Sequence, residues 1–355
     1  MHRILVDQQK ITKTTPDEVA DRALEPGEAR LALESFALTA NNVTYAASGF
    51  AIGYWKFFPT GVEGQGLVPV WGVAKLVESR ADDLTEGTRL YGFYPMAESL
   101  IITPEVSSRG NVTDVAAHRK DLPAVYNSYI PVGDTTPEQD HLRALLQPLL
   151  ATSYLLADWL EDNGIFGAEQ VIVGSASSKT GLGLCKYLAE NAGRGFRIVG
   201  LTSSRNKAFV ERLGACDSVL TYDEIDRIAK VPSVYVDMAG NAEVKAALHA
   251  HLKDQMKHSA AVGISHWDRF NPAVELEGVK PQFFFAPAQI AKRREDWGPG
   301  EIDRRIGEAF MRVASEASGW LDVKVHQGLE SALEVYAALA SGQANPQEGH
   351  VIRIA

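Results

Sequence analysis

Cysteine is scarce in this chain: two residues, Cys185 and Cys216, stand isolated among 355. That excludes a four-thiolate zinc site and leaves a disulfide framework without a basis, so a reducing compartment fits best and a cytoplasmic location is expected. Basic residues are outnumbered as well, 35 Lys and Arg against 45 Asp and Glu, for a formal net charge of −10. A chain of that sign is repelled by phosphate backbones and anionic lipid, so neither nucleic acid nor a membrane is expected as a partner. No uninterrupted apolar run approaches the roughly 20 residues of a bilayer span. The opening Met1-His2-Arg3-Ile4-Leu5-Val6 turns polar before it reaches the apolar length of a signal peptide. What is present, 45% apolar and 23% charged residues, is the balance of a chain that folds around a core. At roughly 150 residues per domain, the length predicts about two of them.

Two textures meet near residue 145. Before it, alternating runs (Ala29-Arg30-Leu31-Ala32-Leu33-Glu34, then residues 67–77 and 88–94) are punctuated by Pro26-Gly27 and Glu86-Gly87, which predicts antiparallel strands in a small β-barrel or sandwich. After it, apolar runs at 170–174, 197–202, 218–221, 233–237 and 260–264 take turns with helical stretches from Gly181, near 207–213 and over 242–253. Repeated strand–helix units predict a parallel sheet with crossovers, an α/β doubly wound domain. From about Trp320 the pattern is strand, helix, strand, at 321–325, 329–341 and 351–354.

The most informative segment is Val171-Ile172-Val173-Gly174-Ser175-Ala176-Ser177-Ser178-Lys179-Thr180-Gly181-Leu182-Gly183. A buried strand runs through a loop of small residues into a helix, whose first N–H groups and partial positive charge suit a phosphate. The alternatives are a strand-to-helix turn that binds nothing and a phosphate loop of the nucleotide-hydrolase kind. The second fails on spacing, because Ser178 stands where that motif needs glycine directly before the lysine and the loop is one residue short.

Here the chain resembles the medium-chain dehydrogenase/reductase superfamily, in particular its zinc-free quinone and enone reductases, over most of its length. Where those proteins usually carry Gly-Ala-Ser-Gly-Gly-Val-Gly, this chain has Ser175 to Gly181 and keeps only the last glycine. Further matches lie in order: Pro26-Gly27-Glu28, Thr44-Tyr45-Ala46-Ala47-Ser48-Gly49, Gly72, Glu86 to Phe93, Glu211-Arg212-Leu213-Gly214-Ala215 and Val236-Asp237-Met238-Ala239-Gly240. The glycine-poor loop, Gly53-Tyr54-Trp55-Lys56 and Phe283-Phe284-Phe285 mark a divergent branch of unknown function.

The resemblance implies a Rossmann-type doubly wound sheet over residues 146–319, binding a dinucleotide. It also implies a GroES-like β-barrel over 1–145, catalytic and substrate-binding, completed by 320–355. The closing segment is accordingly expected to return to the β-domain. The implied function is an NADPH-dependent oxidoreductase that transfers hydride to an enone, quinone or related activated alkene or carbonyl without metal. A catalytically weak or inactive binding protein of the same fold, or an ATP-binding enzyme, are the rival readings, and a homodimer is left open.

Charge selects the form of the cofactor. A binder of the unphosphorylated form usually places an acid about 20 residues beyond the glycine loop. Here no acid occurs between Asn191 and Val210, and the second strand ends in Thr202-Ser203-Ser204-Arg205-Asn206-Lys207. Ser203, Ser204, Arg205 and Lys207 offer hydroxyls and cations to a 2′-phosphate, which favours NADP(H); the alternative is a solvated basic turn. Ser175, Ser177, Ser178, Lys179, Thr180 and Gly181 are the candidates for the pyrophosphate. Tyr222 resembles a tyrosine that related reductases place after the third strand, and Thr152 the threonine that opens the helix leading to the nucleotide domain. Gly240 and Gly263 end strands on the side where doubly wound folds bind ligands.

Zinc members of the superfamily place a cysteine in the loop after the early strand, whereas residues 36–45 hold no cysteine or histidine, so no metal is expected. Asn41, Asn42 and Tyr45 are the polar groups left there to bind a substrate carbonyl or, for Tyr45, to supply a proton. Turn chemistry and core packing are the competing explanations. Tyr54, Trp55 and Phe284 are candidates for the wall of an apolar pocket, and His266, in His266-Trp267-Asp268, is a second proton donor or a surface histidine.

Overall fold

The computed structural model describes residues 1–108, 110–263 and 276–354. The chain forms two units, Met1–Leu145 with Leu321–Ala355, and Leu146–Trp320; the division falls inside the helix Pro137–Asp162. His266-Trp267-Asp268 lies outside the described residues.

The first unit is organised by the strand Ala29–Leu38. Its first half alternates buried and half-buried residues, while Ser35 to Leu38 are buried in succession. The change follows from its neighbours. Pro69–Ser79 pairs with it along its length, Ser99–Ile102 along residues 29–32, and Glu348–Arg353 along residues 35–38. The nine-stranded sheet continues on one side through Arg89–Pro95, Ser128–Pro131, Val112–Asp114 and Pro104–Val106, and on the other ends in Asp322–Gln327. Gly72 is needed where two strands meet, since a Cβ there would lie 2.3 Å from the Ser35 carbonyl oxygen. A three-stranded sheet sets His2–Asp7 between Thr14–Glu18 and Gln65–Gly66. The closing segment forms a parallel crossover, Asp322–Gln327 to Glu348–Arg353 through the helix Ser331–Ala340, and places Val351 opposite Ala37.

The second unit is doubly wound, as the strand–helix alternation implies. All pairings in its six-stranded sheet are parallel, in the order Ser218–Thr221, Arg197–Thr202, Gln170–Gly174, Ser233–Asp237, Met256–Ala261, Gln282–Phe283. Gln170–Gly174 and Ser233–Asp237 are buried throughout, which is why both read as unbroken apolar runs. The chain starts in the middle, moves outward, and returns to the other side of its first strand. The switch point lies at the carboxyl ends of Gln170–Gly174 and Ser233–Asp237, where open α/β sheets bind ligands.

The fifth strand spans Met256–Ala261 and not 260–264, because polar residues are buried in its first half. His258 stacks on Phe166 at 4.0 Å, and the Ser259 hydroxyl lies 3.1 Å from Nε2 of His249. Among the described residues no helix is long and apolar enough to cross a membrane.

Candidate functional site

In the first unit, the segment containing Asn41, Asn42 and Tyr45 is not a loop but the helix Ala40–Ala47. Thr39 caps it by accepting from the Asn41 N–H, and Asn42 reaches back to accept from the Thr39 N–H at 2.7 Å, a capping box with Asn in the position usually held by Glu or Gln. The other end of the Asn42 amide donates to the Pro69 carbonyl at 2.8 Å, and the residue is buried. Asn42 thus spends its amide on the fold. Changing Asn42 to alanine removes the cap and orphans a buried carbonyl, so urea unfolding is expected to show a loss of about 2 kcal/mol or more. A variant within about 0.5 kcal/mol of the parent, the range of a neutral surface change, would rule this role out.

Tyr45, 5% exposed, receives Trp71 Nε1 at 3.1 Å on its hydroxyl oxygen. Burial pushes its pKa well up from the ordinary phenol value, so it is held neutral. Its ring lies 4.5 Å from that of Tyr54 and meets Phe93 edge-on at 5.5 Å. The Tyr54 and Tyr126 hydroxyls are 3.1 Å apart, and Trp71 stacks on Tyr91 at 5.4 Å. The result is an aromatic cluster with hydroxyl and indole donors set into it. Trp55 fills the notch left by Gly49 and Gly66, where added Cβ atoms would lie 2.1 and 2.3 Å from its indole. Phe284 does not join this cluster: it belongs to the second unit and packs on Trp159 at 5.4 Å.

In the second unit, the chain leaves Gln170–Gly174 through Ser175, which adopts a left-handed φ of 51°, and enters the helix Lys179–Glu190. The Ser178 hydroxyl accepts from the Gly181 N–H at 3.1 Å and caps that helix. Gly181 has no room for a side chain, as its Cβ would lie 2.5 Å from the Ser175 carbonyl oxygen. The Ser177 hydroxyl is bonded to Thr202 Oγ1 at 3.0 Å and Asn206 Nδ2 at 3.2 Å, fastening the loop to the end of the second strand. Tyr222, half-buried, follows the third strand, and the proximity of Ser175 holds its pKa below what burial alone would give. Lys179 and Thr180 open the helix, where the first amides have no intrahelical partner. The structure therefore brings Ser175, Ser177, Ser178, Lys179, Thr180, Gly181 and Tyr222 together around one loop.

Two nearby glycines answer to Asp237. Its buried carboxylate accepts from the Ala239 and Gly240 amides at 3.1 and 2.9 Å, with Gly240 at φ 74°, and stands 3.2 Å from Lys245 Nζ. A Cβ on Gly263 would lie 2.3 Å from the Met238 carbonyl oxygen. Asp237 and Lys245 were not anticipated, although the acid closing an apolar strand two residues before Ala239-Gly240 was a visible signal. Thr152 does not open a helix: it lies within Pro137–Asp162, its hydroxyl bonded to the carbonyl of Pro148 at 3.0 Å.

At the end of the second strand, Ser203 is half-buried while Ser204 and Arg205 are exposed in the turn Ser204–Asn206. Lys207 is engaged, with its Nζ 2.9 Å from Glu224 Oε2. Glu224 also accepts from the Thr221 N–H at 3.0 Å and pairs with Arg227, and the Lys207 bond foremost draws its pKa down to about 2. An acid thus stands beside this turn, brought there from after the third strand.

Comparison with solved structures gives the fold of the medium-chain dehydrogenase/reductase superfamily. CurA from Vibrio vulnificus in complex with NADPH superposes with a TM-score of 0.64 at 14% identity, over 100% of this chain and 99% of its own. The quinone oxidoreductase from Coxiella burnetii follows at 0.57 and 15%, over 100% and 99%. E. coli K-12 YhdH with bound NADPH also gives 0.57 at 15%, over 99% and 100%. No curated protein sequence matches the chain. A family model does match, over residues 36–345, and by that match the chain belongs to the family described as "Protein of unknown function (DUF2855)".

Proposed function

We propose that this chain is an NADP(H)-dependent oxidoreductase of the zinc-free kind, reducing an activated alkene, quinone or related carbonyl compound. One observation carries the reading: at the switch point of the second unit's sheet, a tight small-residue loop leads into a serine-capped helix whose third residue, Gly181, admits no side chain. That arrangement lets backbone approach a pyrophosphate, with the helix amides and the Ser175 and Ser178 region supplying donors. The covering of 99–100% of NADPH-bound neighbours supports the same cofactor.

When bound, the cofactor supplies hydride. The residues of the second unit bind and orient it: Lys179, Thr180 and Gly181 at the pyrophosphate, Ser203, Ser204 and Arg205 at the 2′-phosphate, Tyr222 beside Ser175. The aromatic cluster of the first unit receives the apolar substrate and excludes water. Tyr45 donates a hydrogen bond or proton to the substrate oxygen, with Trp71 holding its hydroxyl in place.

Titrating the protein with NADPH while following tryptophan and nicotinamide fluorescence tests cofactor binding, and loss of absorbance at 340 nm with a benzoquinone or an α,β-unsaturated ketone tests turnover. Saturable NADPH binding with oxidation of the nucleotide in the presence of either acceptor is the expected outcome. A chain that fails to bind NADPH overturns the reading. Binding without turnover over a panel of such acceptors would instead make it a nucleotide-binding protein that has lost catalysis.

A further inference from the structure

The first unit contains a cavity of about 380 Å³, formed wholly from its own residues and separate from the Tyr45 hydroxyl and its partners. Its apolar wall includes Phe57, Phe58, Leu67 and Leu100. Two of its lining arginines are more than nine-tenths buried, Arg3 at 7% exposure and Arg119 at 0%. Both retain uncommitted donors. Arg3 gives Nε to Asp17 at 2.6 Å, and neither of its terminal nitrogens makes a hydrogen bond among the described residues. Arg119 pairs through Nε with Asp114 at 3.1 Å and donates Nη1 to the Tyr129 hydroxyl at 3.0 Å, while Nη2 has no hydrogen-bond partner. Its guanidinium also lies 4.7 Å from the centre of the Phe58 ring.

Arginine cannot relieve burial by losing its proton, and a buried donor without an acceptor, as at Arg119 Nη2, is costly. Asp114 does not supply what is missing, because its Oδ1 is held by the Thr103 and Ala116 amides. Charge around the cavity points the same way. Arg3, Arg22, Arg30 and Arg119 line it against Asp21 and Asp114. The nearest acids of the first three, Asp17, Glu28 and Glu78, do not.

We propose that this cavity binds a small monocarboxylate with a compact apolar body. The carboxylate sits on the terminal fork of Arg3, within the field of Arg119, and the body rests against Phe57, Phe58, Leu67 and Leu100. A guanidinium fork matches a carboxylate through two parallel hydrogen bonds. At about 30 Å³ for each water-sized group, the volume holds about a dozen non-hydrogen atoms, the size of an aryl or short branched acid. The site is independent of the nucleotide loop, so it stands or falls apart from the oxidoreductase reading.

Calorimetric titration of the whole protein with benzoate and with benzamide, its uncharged counterpart of the same shape, tests the proposal. Benzoate is expected to saturate one site per chain and to bind at least about tenfold more tightly than benzamide, the least that a charged hydrogen bond contributes. Arg3→Met is expected to weaken benzoate by about tenfold or more and leave benzamide unchanged. Leu100→Trp narrows the cavity at its apolar wall and is expected to weaken benzoate binding. Equal affinity for the two compounds, no saturable binding of benzoate up to about 10 mM, well beyond a weak site, or a folded Arg3→Met protein with parental affinity would each overturn it. If Arg3→Met does not fold, the benzoate–benzamide comparison and Leu100→Trp decide the matter.

Discussion

Changing Tyr45 to phenylalanine is expected to lower turnover by about 10²–10⁴-fold, the usual contribution of a general acid, with little change in NADPH affinity. The structural ground lies in how the hydroxyl is used. Trp71 Nε1 donates to its oxygen, so the phenol's own proton is left to give. The neighbouring hydroxyls, Tyr54 and Tyr126, are bonded to each other. Phenylalanine keeps the ring contacts with Tyr54 and Phe93 and removes only the oxygen, which limits the effect on folding to the lost Trp71 bond, about 1 kcal/mol. Burial raises the Tyr45 pKa above its ordinary 10.0, so the group stays protonated through neutral and moderately alkaline pH. The pH profile of kcat/KM is therefore expected to show no limb from Tyr45 below pH 10. A phenylalanine variant as active as the parent would return Tyr45 to core packing and leave water or another side chain to supply the proton.

How far the sequence reached depended on whether an element's signal was local. Gln170–Gly174, Arg197–Thr202, Ser218–Thr221 and Ser233–Asp237 were legible to the residue, because strands buried on both faces read as apolar runs bounded by turns. Met256–Ala261 was misplaced since its early residues include buried polar ones, His258 stacked on Phe166 and Ser259 beside His249. The helix Ala40–Ala47 was read as a loop from the resemblance, yet Thr39 and Asn42 had the spacing of a capping box. The candidate site divides in the same way. A loop of consecutive residues, Ser175 to Gly181, can be found by reading along the chain. The pairing of Lys207 with Glu224 cannot, because the search for an acid near the second strand ended at Val210 and the sheet supplies one from beyond the third.

That pairing bears on the expectation for cofactor selectivity at Arg205 and Lys207. Lys207 is 2.9 Å from a carboxylate whose pKa is drawn down to about 2, so its charge is already answered at any physiological pH. Arg205 stands exposed in the turn after the second strand, beside Ser204, where the ribose of a dinucleotide lies in doubly wound domains. Removing a charged partner of a phosphate costs about 1.5–3 kcal/mol, which is roughly 10- to 150-fold in affinity. Arg205→Ala is therefore expected to weaken NADPH by that factor and leave NADH unchanged. Lys207→Ala acts differently: it takes from Glu224 one of its two cations, leaving only the Arg227 pairing, so NADPH again weakens while NADH holds or gains. The double variant Arg205→Ala with Lys207→Ala combines both effects against NADPH alone. Dissociation constants for both nucleotides, measured at one salt concentration because screening alters phosphate contacts, separate these outcomes. An equal loss for NADPH and NADH in the Arg205 variant would show that this turn supports the domain and does not read the 2′-phosphate.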